Sequence, residues 1–189
     1  KLMKLRLIKM KSVKSTNDTA IRLIKKNQFK PTLITSLNQR KGRGTMGKKW
    51  ISMKGNLFIS IFFEINSKKI NFKQFAILNA YLIRKIISRY TSEKIDIKWP
   101  NDLLIKKQKV CGILQEIIDC KEKKFLIVGA GINTNSSPNI VNFKATSLRN
   151  KSKKNIDSNK ILKDVKKAYE KFIYQIRKYN FAYLKKKLK

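Results

Sequence analysis

The stretch "KVCGILQEIIDCKEKKFLIVGAGIN", from Lys109 to Asn133, decides the fold of this chain. It contains two largely apolar runs, Lys109–Ile118 and Phe125–Gly129, on either side of the polar segment "DCKEKK". Short runs rich in β-branched residues that flank a polar turn are typical of a β-hairpin. The sequence therefore predicts two antiparallel strands here.

More strands and three helices follow from the same kind of pattern. Four further strands are predicted at Thr32–Leu37, Leu57–Ile65, Ile95–Trp99 and Asp102–Lys106, with a second hairpin at "KKQK". Helical spacing predicts helices over Asp18–Lys26 and Phe72–Tyr90, and a last one that begins near Ser158 and runs to Ile176. The segment 136–157 is polar and loop-like. The mixture predicts an α+β fold, a mostly antiparallel mixed sheet with helices packed on one face.

Length and composition set limits on these elements. The 189 residues predict a single domain, 1–189, and 42% hydrophobic residues suffice for a sizeable core. The chain has 46 Lys and Arg against 11 Asp and Glu, a net charge of +35. An anionic partner such as nucleic acid would explain this excess. Drift toward A/T-rich codons would explain it too, and the even spread of lysines along the chain favours drift.

Missing and scarce residue types exclude several classes of site. The chain has no histidine, which rules out Ser-His and Cys-His catalysis and histidine-ligated metals. Cys111 and Cys120 have neither metal-site spacing nor the pattern of a disulfide framework, which fits a reducing cytoplasm. The longest apolar run, Leu57–Phe63, is far shorter than the roughly 20 residues of a membrane-spanning helix.

The loop "NQRKGRGTMGKKWIS", Asn38–Ser52, combines three glycines with five cations. Glycines let backbone N–H groups come close to a ligand, and cations such as Arg43 and Lys48 neutralise phosphate or carboxylate. Trp50 offers a surface for stacking on an aromatic ring. The pattern is either an anion-binding loop or an ordinary surface loop, and it lacks the spacing of a P-loop.

Three other motifs have both a functional and a structural interpretation. In "KWPNDLL", Asn101 and Asp102 are either donors at the mouth of a pocket or simply a turn. In "KVCGIL", Lys109 is either an anion-binding group or a solvated edge residue, with Gly112 at a bulge. In "VGAGIN", the two glycines and the following asparagine allow close approach of a ligand, or end a strand.

Taken together with "STND" near the start, these motifs resemble the biotin protein ligase family. The segments "STN", "Q-x-x-GRG-x-x-G-x-x-W", "KWPND", "K-x-x-GIL-x-E" and "GxGIN" follow one another in the family's order, and "KATSL" at Lys144–Leu148 also fits. The resemblance extends from Ser15 to the final helix.

The resemblance implies both a reaction and a fold. The fold would be that of the biotin/lipoate ligase catalytic domain, which is similar to class II aminoacyl-tRNA synthetases. Members make biotinyl-5′-AMP from biotin and ATP with Mg²⁺, and then transfer biotin to a lysine of a carrier domain. The implied acceptor is the biotin carboxyl carrier domain of acetyl-CoA carboxylase, and the location is the cytoplasm.

The same resemblance bears on domains and on other partners. Only 14 residues precede Ser15, too few for a DNA-binding winged helix, and the small C-terminal β-barrel of the family is apparently absent. The expectation is a bare catalytic core with no specific DNA binding and no membrane association. Members dimerise through a sheet edge, so a homodimer is one option.

Roles carry over by motif. The implied catalytic residues are Lys109 and Arg43, and Asp102 is the carboxylate implied for Mg²⁺ or for orienting the acceptor lysine. Biotin contacts are implied for Ser15, Thr16, Asn17, Gln39, Arg43, Gly44, Thr45, Lys109, Gly112, Gly129 and Gly131. Of these, Gly112, Gly129 and Gly131 would make room for the ligand. ATP contacts are implied for Lys48, Trp50, Asn101 and Asn133. Thr45 stands where the family usually has the second arginine of "GRGR".

Three alternatives stay open on the sequence alone. A lipoate–protein ligase shares the fold and the chemistry, although "KWPND" and "GRG" favour biotin. A basic nucleic-acid-binding protein would explain the charge, and its affinity would fall steeply with salt. A decayed ligase that binds biotin without turnover is the third.

Overall fold

A computed structural model describes residues 3–139 and 143–189 of the chain. The strands are β1 Arg6–Met10, β2 Thr32–Ser36, β3 Leu57–Glu64, β4 Ile95–Lys98, β5 Asp102–Ile105, β6 Gln108–Cys120 and β7 Lys123–Ile132. The α-helices are α1 Thr16–Lys25, α2 Phe72–Ile87, α3 Leu148–Ser152, α4 Ser158–Lys178 and α5 Phe181–Leu188. Short 3₁₀ turns lie at Thr45–Gly47 and Ser88–Tyr90.

All seven strands form one sheet in the order β1-β2-β3-β7-β6-β5-β4. Only β1 and β2 are parallel, and the other pairs are antiparallel, which confirms the predicted α+β fold with a mostly antiparallel mixed sheet. The long hairpin of β6 and β7 lies at the middle of the sheet and pairs over ten residues, from Cys111–Ile132 to Cys120–Lys123. The stretch from Lys109 to Asn133 thus supplies the central part of the fold.

Both predicted hairpin turns occur without glycine. Lys106 and Lys107 have φ of 49° and 64°, and Lys121 and Glu122 have φ of 47° and 61°. Two consecutive residues with positive φ match the right-handed twist of the strands on either side. The tight turns let β6 and β7 extend further than predicted, so Gly129 and Gly131 lie inside β7 rather than at its end.

The two faces of the sheet differ. Alternate residues of β3 and β7, such as Ile61 and Val128, join a large core with α2, α4 and α5 on one face. On the opposite face, α1 packs Ala20 and Ile24 against Phe62 and a few neighbours in a smaller core. Helices therefore cover one face as predicted, while α1 covers only part of the other face and leaves its remainder for a site.

Three elements were not predicted from the sequence. Strand β1 is an edge strand with an exposed, charged pattern, and α5 is a short helix rich in lysine. Helix α3 lies within the segment read as a loop, and its Leu148 is fully buried. In each case, tertiary packing adds order that local periodicity does not reveal. No helix in the described ranges 3–139 and 143–189 is long and apolar enough to cross a bilayer.

Candidate functional site

Glycines form the floor of a pocket on the face of the sheet that α1 leaves open. Pairing aligns Phe58, Gly131, Gly112 and Asp102 in one row across β3, β7, β6 and β5. Directly paired residues of antiparallel strands point to the same face, so this row has two successive positions without a side chain. Gly129 supplies a third such position on the same face. The result is a shallow depression in an otherwise close-packed surface.

Two protein side chains fill that depression. A Cβ on Gly131 would lie 2.3 Å from Cε2 of Trp50, and one on Gly112 would lie 2.6 Å from its Cζ3. A Cβ on Gly129 would lie 2.3 Å from Oδ1 of Asn17. The indole and the amide therefore occupy the space above the three glycines. The room for a ligand that the resemblance implies at these positions stays a prediction.

The segment 42–50, called the flap loop below, brings Trp50 over the sheet. Its ends form a narrow hairpin, in which Trp50 N donates to Gly42 O at 2.9 Å and Gly44 N donates to Lys48 O at 2.7 Å. The tip turns at Met46 and Gly47, with φ of 54° and 72°. Met46 is 95% exposed, so the tip projects into solvent while Trp50 packs on the sheet.

All the predicted site residues line this one pocket. They come from α1, the flap loop and its approach, the β4–β5 turn, β6, and β7 with the residue after it: Ser15, Thr16, Asn17, Gln39, Arg43, Gly44, Thr45, Lys48, Trp50, Asn101, Asp102, Lys109, Gly112, Gly129, Gly131 and Asn133. Their convergence from distant parts of the chain is a structural fact. Their individual roles toward a ligand remain predictions.

Lys109 lies between a carboxylate and two aromatic rings. Its Nζ is 2.8 Å from Oδ1 of Asp102, and it lies 5.4 Å from the ring centroid of Trp50 and 5.7 Å from that of Phe143. The Lys109 and Asp102 side chains are each about one-fifth exposed. The segment after β7 fixes the backbone of Lys109, because Lys109 N donates to Lys144 O and Thr146 N donates to Lys109 O. The ammonium group is thus held at the pocket floor with a counter-ion.

Arg43 does not present a free charge to the pocket. Its Nη1 and Nη2 donate to the two carboxylate oxygens of Glu116 at 2.9 and 2.8 Å, and its Nε lies 2.9 Å from Oδ1 of Asp18. The hydrogen bond to Glu116 is the largest cause of the raised pKa of the guanidinium group. Arg43 is thus paired with two carboxylates, one of which, Asp18, also lies 3.9 Å from Nζ of Lys14. Its implied contact with biotin or the adenylate stays a prediction.

A polar network supports the start of α1. Ser15 caps the helix, and its hydroxyl accepts from Asp18 N. Gln39 Oε1 accepts from Thr16 N at 2.9 Å, while Gln39 Nε2 donates to Ser52 Oγ at 3.1 Å. The predicted biotin-binding side chains Thr16 and Gln39 thereby bond to each other, which fixes their orientation toward the pocket.

The residues predicted for ATP, Lys48, Trp50, Asn101 and Asn133, line the same pocket. Asn101 Nδ2 donates to Thr45 Oγ1 at 3.1 Å and so joins the β4–β5 turn to the flap loop. Asn133 is almost fully buried, and its amide contacts Asn56 and the backbone of Lys109. The indole N–H of Trp50 is buried without a hydrogen-bond partner among the described residues.

Sequence reasoning assigned no role to Glu116, Asp18 or Ser60, although Glu116 ends the motif "K-x-x-GIL-x-E" and Asp18 ends "STND". Glu116 lies on the same face of β6 as Gly112, four residues on, so strict alternation along the predicted strand could have identified it. Ser60 pairs with Gly129, and its hydroxyl donates to Asn17 Oδ1. Its position required the register between β3 and β7, which the sequence alone does not give.

The side chains that line the pocket offer few ligands for a metal ion. Among residues 3–139 and 143–189, no group of three or more Asp, Glu, Cys or His side chains lies close enough to bind an ion. Asp102 is a single carboxylate already paired with Lys109. Mg²⁺ commonly binds through one carboxylate together with substrate phosphates, and this donor set fits that mode only.

Comparison with known proteins agrees with this geometry. Residues 10–133 match the model of the Biotin/lipoate A/B protein ligase family. The chain belongs to that family.

Individual relatives are similar over different lengths. The bifunctional ligase/repressor BirA of Bacillus spizizenii is 32% identical over 171 residues, which are 87% of this chain and 53% of the relative. The chain thus spans about half the length of that curated relative. Biotin protein ligase from Aquifex aeolicus, solved with biotin and ATP, is 32% identical with a TM-score of 0.79 over 97% of this chain and 76% of that one. LipL1 of P. falciparum, solved with lipoate, shares the fold at 14% identity, with a TM-score of 0.60 over 90% of this chain and 63% of that one.

We predict that Gly131→Ala expels the Trp50 indole from the sheet, because the new Cβ would overlap Cε2. In a Trp99→Phe background, which leaves Trp50 as the only tryptophan, emission should shift to the red and acrylamide quenching should increase. Gly129→Ala is the matched control, since its Cβ meets Asn17 instead. Equal spectra for the Gly131→Ala variant and its parent would contradict the packing described here.

Proposed function

We propose that this chain is a biotin–protein ligase that activates biotin with ATP and transfers it to a lysine of an acceptor domain. The proposal rests on one observation above all. Every residue that the motifs predicted lines a single pocket in a chain whose family and fold include biotin ligases. The biotin and ATP bound to the Aquifex aeolicus relative support the choice of substrates.

The proposed reaction has two steps. The biotin carboxylate oxygen attacks the α-phosphorus of ATP, and the bond to the bridging oxygen breaks to release pyrophosphate. The lysine amine of the acceptor then attacks the biotinyl carbonyl, AMP leaves, and the amine loses a proton. Neither step needs a covalent intermediate with the enzyme, so a chain without histidine can perform both.

Lys109 is the residue to which we assign charge stabilisation. Adenylation brings a carboxylate toward a phosphate, and a fixed cation beside the reacting atoms lowers the free energy of that approach. The ammonium group already lies at the pocket floor, 2.8 Å from Asp102, and its backbone is fixed on both sides. A group fixed before the substrate arrives needs little reorganisation in the transition state.

The flap loop would exclude water. A mixed anhydride of biotin and AMP hydrolyses readily, so a closed loop over it protects the intermediate. The indole of Trp50 covers Gly112 and Gly131. We propose that Trp50 moves when substrates bind and then stacks on the adenine, with Lys48 near the phosphates and Asn101 and Asn133 bordering the nucleotide.

Mg²⁺ would arrive with the nucleotide. When bound, it would offset the charge of the phosphates, and Asp102 would hold it, as the one carboxylate among the described residues that line the pocket. Because Asp102 also pairs with Lys109, it would link the metal end of the site to the catalytic ammonium group.

The acceptor we propose is the biotin carboxyl carrier domain of an acetyl-CoA carboxylase. The name of a relative from Mycobacterium tuberculosis, a biotin–[acetyl-CoA-carboxylase] ligase 34% identical over 84 residues, supports this choice. Those residues are 44% of this chain and 30% of that relative. We also propose a homodimer as one option. If it forms through a sheet edge, that edge is β1 or β4, the two outer strands of the sheet.

Mass spectrometry of an acceptor domain incubated with this protein, Mg·ATP and either biotin or lipoate tests the proposal. We expect the mass of one biotinyl group on a single lysine, dependent on ATP. A lipoyl adduct without a biotinyl adduct would identify the chain as a lipoate ligase instead. Binding of biotin without any adduct would support a decayed ligase.

We predict that Lys109→Ala lowers biotin-dependent ATP–pyrophosphate exchange by a factor of about 10² or more, the range seen when a preorganised charged group is removed. Lys106→Ala is the matched control on the same hairpin, because its exposed ammonium group pairs with Glu93 away from the pocket. Exchange at the parental rate in the Lys109→Ala variant would refute the assigned role.

We predict that Thr45→Arg slows the dissociation of biotinyl-AMP, because it restores a cation next to the adenylate in the flap loop. The reason is electrostatic: Arg43, the other arginine position of the motif, is already neutralised by Glu116 and Asp18. Stopped-flow release of preformed adenylate measures the effect. An unchanged dissociation rate would show that residue 45 does not retain the intermediate.

A further inference from the structure

We infer that Glu116 is the positioning residue that anchors the flap loop and so sets how tightly the pocket holds its acid substrate. The inference deepens the function proposed above and rests on it for its kinetic part. It starts from Arg43. Among the described residues of the flap loop, it is the one whose side chain forms ion pairs, with Glu116 on β6 and with Asp18 in α1.

The contact between Arg43 and Glu116 has the geometry of a strong pair. Two parallel N–H···O bonds of 2.9 and 2.8 Å join the planar guanidinium group to both carboxylate oxygens. Bidentate, charge-assisted pairs are stronger and more specific in direction than single hydrogen bonds. The Arg43 side chain is 34% exposed and that of Glu116 is 24% exposed, so both are shielded from water more than ordinary surface pairs.

Glu116 also connects the flap loop to the helix end of the pocket. Its Oε2 accepts from Asn17 Nδ2 at 2.8 Å, and Asn17 Oδ1 accepts from the hydroxyl of Ser60. Ser60 Oγ in turn lies 2.8 Å from Thr16 Oγ1. One carboxylate therefore sets the positions of the flap loop and of α1 together.

The same hydrogen-bond network also reaches the C-terminal end of the flap loop. Thr16 donates to Gln39 Oε1, and Gln39 Nε2 donates to Ser52 Oγ, just beyond Trp50. Hydrogen bonds thus run from Arg43 near the start of the flap loop, through Glu116 and α1, to Ser52 after its end. Such a loop is fixed at both ends, while its tip at Met46 remains exposed.

Charge arithmetic supports an anchoring role rather than a direct one. Arg43 and Lys14 carry one positive charge each, and Glu116 and Asp18 carry one negative charge each, so these four paired groups sum to zero. An anionic substrate gains little from a guanidinium group in that setting. The pair instead determines how often the flap loop adopts the arrangement that completes the pocket, and apparent affinity scales with that fraction.

The test compares Glu116→Gln with Asp119→Asn in the full chain. Both replace a carboxylate by an amide of equal size on β6, but Asp119 is exposed and pairs with Lys124 on the surface. For Glu116→Gln we expect faster hydrogen–deuterium exchange of the flap loop, a KM for biotin raised about 10-fold and a kcat changed less than about 3-fold. Such a loss corresponds to about 1.4 kcal/mol at 25 °C. Asp119→Asn should match the parent in all three.

A double-mutant cycle with Arg43→Lys separates anchoring from general damage. Lysine keeps the charge but cannot form the bidentate pair, so each single variant should raise KM and the double variant should add little further. Additive effects, or unchanged exchange in the flap loop of Glu116→Gln, would overturn the inference. A fall in kcat at constant KM would overturn it as well.

The exchange measurement also separates failure of the anchor from failure of the proposed ligase activity. If the parent protein shows no biotin-dependent reaction, the proposed function fails. Faster exchange of the flap loop in Glu116→Gln would still support the anchor, and unchanged exchange would refute it.

Discussion

The absence of a side chain at three positions on one sheet face is the constraint on which the site depends. Gly112, Gly129 and Gly131 lie on neighbouring strands at the centre of the sheet, where a Cβ would clash with Trp50 or Asn17. Because these two side chains can lie flat against the backbone, the flap loop and the start of α1 both come down onto the sheet. The pocket between them exists only because the strands beneath have glycine at these three positions.

Electrostatics in the pocket are more balanced than the net charge of +35 suggests. Of the chain's eleven Asp and Glu residues, Asp102 lines the pocket and pairs with Lys109, while Asp18 and Glu116 pair with Arg43, which also lines it. These ion pairs are partly shielded from water. Because desolvation offsets much of the Coulomb energy gained, they fix the geometry of the site more than they stabilise the fold. In a chain with so few acids, their concentration at one place separates the site from the lysine-rich surface around it.

The sequence predicted most of the sheet, because hydrophobic alternation and turn composition are local signals. It also predicted which residues gather in the pocket, since the family motifs specify them together. It did not predict the partner of Arg43. The ion pair with Glu116 joins residues 73 positions apart, and their meeting depends on the flap loop folding back over β6. For the same reason, the sequence did not predict that Trp50 and Asn17 are the side chains that pack on these glycines.

The opposite face of the sheet shows why the site can carry so many polar groups. Asn79, the polar residue in the apolar pattern of α2, is fully buried, accepts from the Tyr169 hydroxyl and donates to Gln115. Burial raises the pKa of the Tyr169 hydroxyl, so it stays a neutral donor to Asn79. Around this satisfied pair the face is apolar and packs against α2, α4 and α5. Stability therefore derives mainly from the face with three helices, because apolar burial is the dominant favourable contribution to folding. The other face can hold bare glycines, ion pairs and a loop with an exposed tip without being required to form the main core.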